Sequence, residues 1–228
     1  MLRGDIMSLN HNFQLIQPLI HFPPYQDENP ISYLIRLKDA NICNTISWLI
    51  YSVQGRNFPV TYIRAFNLLR STAWLNYQYY SIVEEVGNLP SIYLNKKAIR
   101  VCPLCLEEAN YYRANWMISA SLVCLKHETY LQDTCMKCEE KIHLKSVVGI
   151  CSCGERFSSQ YAEKASLWAI SLQLFLEGKP TLFSEALCGR NVTCLSILER
   201  VKFIVTLSEW DLESVIYKDK NKRKRSIL

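Results

Sequence analysis

A mainly α-helical chain interrupted by small cysteine-built knuckles is what this sequence predicts, on three observations. From Cys102 to Cys153 the chain reads CPLC, CLKH, CMKC and CSC, eight thiol or imidazole donors in about fifty residues. On both sides of that segment, apolar residues recur three and four apart, with Asn, Thr or Ser before them and Gly or Pro after them, the pattern of capped amphipathic helices. The third observation is composition: 49% apolar residues, including 5 Trp, 13 Tyr and 8 Phe among 228, suffice for a core and exclude a disordered chain. No apolar run approaches the roughly 18 residues of a membrane span.

Taken in order, residues 1 to 20 give no strong period, and Pro18, Pro23 and Pro24 set an extended lead-in because proline fixes φ and moves its predecessor away from helix. A first helix is expected from Pro30, capped by Asn29, with Ile31, Leu34 and Ile35 on one face and Asn41 at its end, since proline suits the first helical turn. Thr45 to Val53 (TISWLIYSV) reads as a second short helix stopped by Gly55. Two short helices joined by a tight turn make the N-terminal domain helix-turn-helix-like. The second is apolar where a groove-reading helix needs polar side chains, so Trp48, Leu49, Ile50 and Tyr51 read as core. A third helix runs through TYIRAFNLLRST, with Ile63, Phe66, Leu68 and Leu69 inward and Arg64 and Arg70 outward; a fourth covers Tyr79 to Val86, before Gly87 and Pro90.

Beyond the cysteine-rich segment, Ser158 or Ser159 is expected to cap a long amphipathic helix with Tyr161, Ala165, Trp168, Leu172 and Phe175 inward, ended by Gly178 and Pro180. A last helix runs from about Val192 to Trp210, with Leu195, Leu198, Val201 and Val205 on one face. Cys43, Cys188 and Cys194 have no partner donors nearby in sequence and read as ordinary buried thiols.

The eight donors are the thiolates and imidazole that tetrahedral Zn²⁺ prefers. Pairing in sequence order gives one set of Cys102, Cys105, Cys124 and His127, and a second of Cys135, Cys138, Cys151 and Cys153. A cross-brace is the open alternative: Cys102, Cys105, Cys135 and Cys138 on one metal, with Cys124, His127, Cys151 and Cys153 on the other, as in a RING-type module. Sequential pairing is favoured because it closes shorter loops. His143 lies near the second set as a possible substitute. Either pairing fills all four positions, which makes two structural zincs and no catalytic one. A disulfide framework is the competing reading of so many cysteines, but MLRGDIMSLNHNF at the start has no long apolar run, so a reduced, cytoplasmic protein is expected. Between the halves of the first set, Tyr112, Trp116 and Ile118 are expected to pack over the knuckle as its small core. The organisation that follows is a helical domain over 1–98, a tandem zinc module over 99–157, C-terminal helices over 158–214 and a basic tail over 215–228.

Charge narrows the function. The tail from Lys218 to Arg225 holds six basic residues and one acid, the whole of the formal +5, and thiolates bound to Zn²⁺ make the remainder net negative. Such a body has no global field for phosphate backbones, and a charged terminus reads first as a solvated end. With 7 Gly in the chain, no phosphate-cradling loop or nucleophile elbow is visible, and no enzyme is expected.

Two stretches carry a family resemblance: FPPYQDENPISYLIRLKDAN, and RVCPLCLEEANYYRANWMISASLVCLKHETYLQDTCMKCEEKI with its Cys-Pro-x-Cys, central Arg113 and Trp116, Cys-x-x-His and a further CxxC. In these the chain resembles the TniQ family of transposition target selectors, which includes the TnsD proteins. The resemblance spans residues 22 to 153. It implies a role in DNA transposition without strand-transfer catalysis, as a bridge between a target-marking device and the AAA+ regulator TnsC, which recruits the transposase. The marker is attachment-site DNA for TnsD-like members and an RNA-guided complex such as Cascade, often met by a TniQ dimer, for others. TnsD-like members carry a long C-terminal DNA-reading region, whereas about seventy residues follow Cys153 here. The expectation is therefore a compact, CRISPR-associated adaptor, with direct DNA reading as the runner-up.

Overall fold

The computed structural model describes residues 13–52, 61–72, 75, 81–95, 98–144, 147–181 and 195–208. Two compact units divide the chain, 1–164 and 165–228, so the helical N-terminal region and the donor segment fall within one unit.

At the centre of the first unit is α1 (Pro30–Ala40). Its start follows from sequence chemistry: the Asn29 side chain accepts the Ile31 N–H at 2.8 Å, and Pro30 lacks the N–H that the first turn leaves unpaired in any case. Apolar side chains surround it on more than one face, and Ile31, Tyr33, Leu34, Ile35 and Leu37 are all buried. At its far end Asn41 donates to the Leu37 carbonyl and clamps Ile20 through both its backbone N–H and its carbonyl. Ile42 follows with φ +55°, the left-handed region that a β-branched side chain rarely enters.

The second expected helix is not one. Residues Ile46–Leu49 make a single 3₁₀ turn, and Ile50–Ser52 then form strand β2, antiparallel to β1 (Phe13–Leu15) with Gln14 opposite Tyr51 and Leu15 opposite Ile50. A β-branched, aromatic run of this length suits either state by pattern alone, and β1 supplies the backbone partners that decide it. Leu49 and Ile50 are buried, while Trp48 and Tyr51 are 69% and 55% exposed, against the core role expected of all four; within β2 the pleat puts Ile50 and Tyr51 on opposite faces. The two-helix corner of a helix-turn-helix is accordingly not formed between α1 and this segment.

Helix α2 (Tyr62–Arg70) is capped by Thr61 and packs on α1. It buries Tyr62, Ala65, Phe66, Leu68 and Leu69, leaves Ile63 half-buried, and turns Arg64 and Arg70 outward. Helix α3 (Ser81–Gly87) packs against a 3₁₀ turn over Ala114–Met117. Tyr112, Trp116 and Ile118 are fully buried. The donor segment contributes α4 (Pro103–Glu108) and the hairpin β3–β4 (Val123–Cys124 and Thr129–Tyr130). Ser158 caps only a 3₁₀ turn, Ser159–Tyr161.

In the second unit, α5 (Leu167–Leu176) begins at Ser166, whose hydroxyl accepts the Ala169 N–H. It therefore starts later than the sequence pattern suggested, and Tyr161 and Trp168 are exposed, not inward. Residues 197–208 form a further helix, α6, whose Phe203 meets Phe175 of α5 at a ring separation of 5.4 Å. Gly178, at φ +71°, ends α5 where a Cβ would stand 1.8 Å from Arg200 Nη1. Cys43 is half-buried; Cys188, Cys194 and the basic tail lie outside the described residues. No described helix is long and apolar enough to cross a membrane.

Candidate metal centre

The eight predicted donors gather into the two sequential sets, Cys102, Cys105, Cys124 and His127 in one and Cys135, Cys138, Cys151 and Cys153 in the other. Within each, one donor atom per residue lies within 4.8 Å of all the rest. The cross-brace grouping is not formed, and His143, exposed and bridged to Ala98, belongs to neither set.

In the first set, Cys102 sits at the N-cap of α4 and Cys105 in its first turn, with Pro103 presetting the backbone between them. The other arm is the β3–β4 hairpin, where the Glu128 N–H donates to the Cys124 carbonyl at 2.7 Å and Glu128 turns with φ +53°. The arms meet with His127 Nδ1 at 3.4, 3.3 and 3.5 Å from the sulfurs of Cys102, Cys105 and Cys124, and with Cys105 and Cys124 3.5 Å apart. Three thiols this close compete for one negative charge. Hydrogen bonding with Cys105 and then Cys124 holds the Cys102 thiol far below its usual range, and the same contacts push Cys105 far up.

The second set is built from two hairpin knuckles. Cys135 donates its N–H to the Glu140 carbonyl and accepts from Glu139, which has φ +59°; Cys151 donates to Glu155 and accepts from Gly154, at φ +87°. These turns bring Cys135 to 3.7 Å from Cys153, and Cys138 to 3.6 Å from Cys151. Burial pushes the Cys135 thiol up, but the N–H groups of Cys138 and Lys137 outweigh it and hold it at about 7. Cys153 is exposed, whereas the three cysteines of the first set are buried.

These donors fit a tetrahedral ion. Zn–S bonds of about 2.3 Å place sulfurs roughly 3.8 Å apart along a tetrahedron's edges, close to the separations in both sets. Soft thiolates with one imidazole are the chemistry of zinc. All four positions are protein side chains, which leaves no place for substrate or water.

Sequence reading overlooked a polar network that joins the two resemblance stretches. Asp27 accepts the Tyr111 hydroxyl at 2.7 Å, pairs with Arg113, and takes the Ala114 N–H on its carbonyl. Glu28, fully buried, accepts from Arg36 at 2.6 Å, the Ser32 hydroxyl at 3.1 Å and the Tyr25 N–H at 3.1 Å. Ser32 accepts the Tyr112 N–H, and Asn29 donates its N–H to the Tyr112 carbonyl. Arg36 lies between the rings of Phe22 and Tyr25, Tyr25 stacks on Tyr111 at 4.3 Å, and Arg113 covers the Tyr111 ring. Burial first, and the hydrogen bond to Asp27 next, push the Tyr111 phenol up. The signal was present as Asp-Glu-Asn-Pro before a helix and as Tyr-Tyr-Arg, but nothing in sequence spacing says that residues more than eighty apart pair.

The fold and site define a helical protein carrying two closed Cys/His donor sets that fit structural metal ions. Residues 19–131 match the model of the TniQ family. On that match the chain belongs to the TniQ family, whose proteins are transposition-associated, non-catalytic targeting factors. The matched span takes in α1, α2, α4 and the whole first donor set and ends before Cys135. No curated protein matches the chain.

Proposed function

We propose that this chain is a transposition target-selection adaptor that links an RNA-guided, Cascade-type target-recognition complex to the AAA+ regulator TnsC, and so to the transposase. One observation supports an adaptor in preference to an enzyme: the groups with chemical potential are engaged in holding shape. Each donor set is closed, and Asp27, Glu28, Arg36, Tyr111 and Arg113 are committed to one another. Two Zn²⁺ ions then serve as structural staples, and partner contacts fall to the surfaces they hold in place. Binding of this kind couples to folding, so docking should fail when Cys102 or Cys135 is replaced by serine.

The test is native mass spectrometry on the protein co-expressed with Cascade and TnsC. Two zincs per chain in a complex with the ribonucleoprotein is the expected result, with the copy number reporting any homodimer. Two zincs with no ribonucleoprotein attached would refute the bridge and favour a second reading, a TnsD-like protein that marks attachment-site DNA. That reading has one observation in its favour, the outward placement of Arg64 and Arg70 on α2. It predicts affinity that falls steeply with salt; a flat response would eliminate it.

A further inference from the structure

We propose that Glu108 is a positioning residue for the first metal set, fixing the tautomer and orientation of His127 so that Nδ1 offers its lone pair to the ion. The inference rests on the metal-scaffold reading above and adds a residue outside the four ligands. A neutral imidazole carries one N–H, and only its other nitrogen can bind a metal. His127 turns Nδ1 toward the three sulfurs and Nε2 toward the Glu108 carboxylate, with Nε2 3.1 Å from Oε1. A carboxylate accepts and cannot donate, so it selects the Nε2–H tautomer and leaves Nδ1 free for coordination.

The carboxylate is itself held. Its Oε2 pairs with Lys126, which stands between Cys124 and His127 in sequence, and so Glu108 joins the CPLC arm to the CLKH arm. Glu108 also closes α4, the helix whose first turn carries Cys105 and whose cap is Cys102. Two ligands and the group that aims a third therefore stand on one six-residue helix and its N-cap, and their spacing is fixed by that backbone. A carboxylate behind a metal-bound histidine commonly contributes about 10–100-fold in metal affinity. The second set has no imidazole and serves as an internal control.

The test uses the full zinc-loaded chain and follows metal transfer to a chromophoric chelator, with cobalt substitution to tell the three-thiolate set from the four-thiolate set by its absorption. E108A is expected to weaken metal held by the first set about 10–100-fold and to leave the second unchanged. E108Q, whose amide oxygen still accepts from Nε2–H, should retain most of the affinity. The decisive comparison is with H127C, which makes the first set all-thiolate: if Glu108 acts through the imidazole, adding E108A to H127C changes nothing. An E108A effect that persists in the H127C background, or an E108A chain that holds both metals like the wild type, overturns the proposal. If E108A alone does not fold, recovery of folding in H127C/E108A supports it and continued failure there refutes it. A wild-type chain that binds no metal would overturn the scaffold reading as well, whereas two bound zincs without a partner complex would leave this inference standing.

Discussion

Replacing Glu28 by alanine should destabilise the first unit by about 3 kcal/mol. The side chain is fully buried and accepts from Arg36, Ser32 and the Tyr25 N–H. Removing a buried acceptor leaves its donors unsatisfied at roughly 1–3 kcal/mol each, and three donors meet this carboxylate. The low end applies because the Arg36 side chain keeps 21% of its exposure and retains the faces of Phe22 and Tyr25. For a unit of this size, about 3 kcal/mol corresponds to a fall in Tm of roughly 6–12 °C, measurable by circular dichroism on the zinc-loaded chain.

Glu28→Gln separates charge from hydrogen bonding. Burial raises the Glu28 carboxyl pKa above its ordinary 4.5, against the pull of the short contact to Arg36. A raised folded-state pKa means that the folded chain binds the proton more tightly than the unfolded one. The resulting stability is complete below the unfolded value and is lost as pH rises through the folded one. The neutral isostere should therefore cost much less than Glu28→Ala, and wild type should lose ground to Glu28→Gln as pH rises. If Glu28→Gln were as damaging as Glu28→Ala at neutral pH, or if wild type gained on it with rising pH, attraction to Arg36 would outweigh desolvation and the reasoning would be wrong.

Three further outcomes are expected. Ile42→Gly should stabilise the chain by about 1 kcal/mol in urea unfolding: backbone strain at a β-branched residue costs roughly 1–3 kcal/mol, glycine gives back about 0.5–1 through the unfolded state, and a side chain 93% exposed loses no packing. Gly178→Ala should destabilise the second unit in the same assay, since its φ is unfavourable for alanine and the new Cβ would overlap Arg200. Chelation should release metal from the second set first, because Cys153 is exposed while the cysteines of the first set are buried, and cobalt-substituted spectra would show the order.

Legibility followed the range of the forces involved. Helix α1 was readable to the residue because its start depends on Asn29 and Pro30 and its end on Asn41, all local chemistry. The two donor sets were readable because each knuckle is a short-range turn. What stayed hidden was decided by distant partners: Ile50–Ser52 became strand instead of helix because β1 lies beside it, and Tyr51 faces solvent as a result. Helix α5 begins at Ser166, although Ser158 and Ser159 are equally good caps by type, because the backbone before it is engaged elsewhere: the Tyr130 N–H donates to the Glu163 carbonyl, and Gln132 donates to that of Tyr161. Glu108 was overlooked for a related reason, since its role depends on which nitrogen of His127 faces the sulfurs.

The same contacts imply that the two metals are not equivalent. From Cys105 the chain passes through α4 directly into Tyr111, Tyr112 and Arg113, whose side chains and backbone hold Asp27, Asn29 and Ser32 at the start of α1. Loss of the first metal should loosen the N-terminal helices with it, because Asp27 and Ser32 would lose the frame that orients their partners. The second set is closed mainly by bonds of its own knuckles, Cys135 with Glu140 and Cys151 with Glu155, and meets the rest away from α1, through the Ile99 N–H on the Ile142 carbonyl and through Gly149 beside Asn110. Amide hydrogen exchange distinguishes the cases: C105S should deprotect α1, whereas C138S should deprotect only residues around its own knuckles. Equal deprotection of α1 by both would mean that the donor sets fold as one cooperative block, and the separate role argued for the first set would fall.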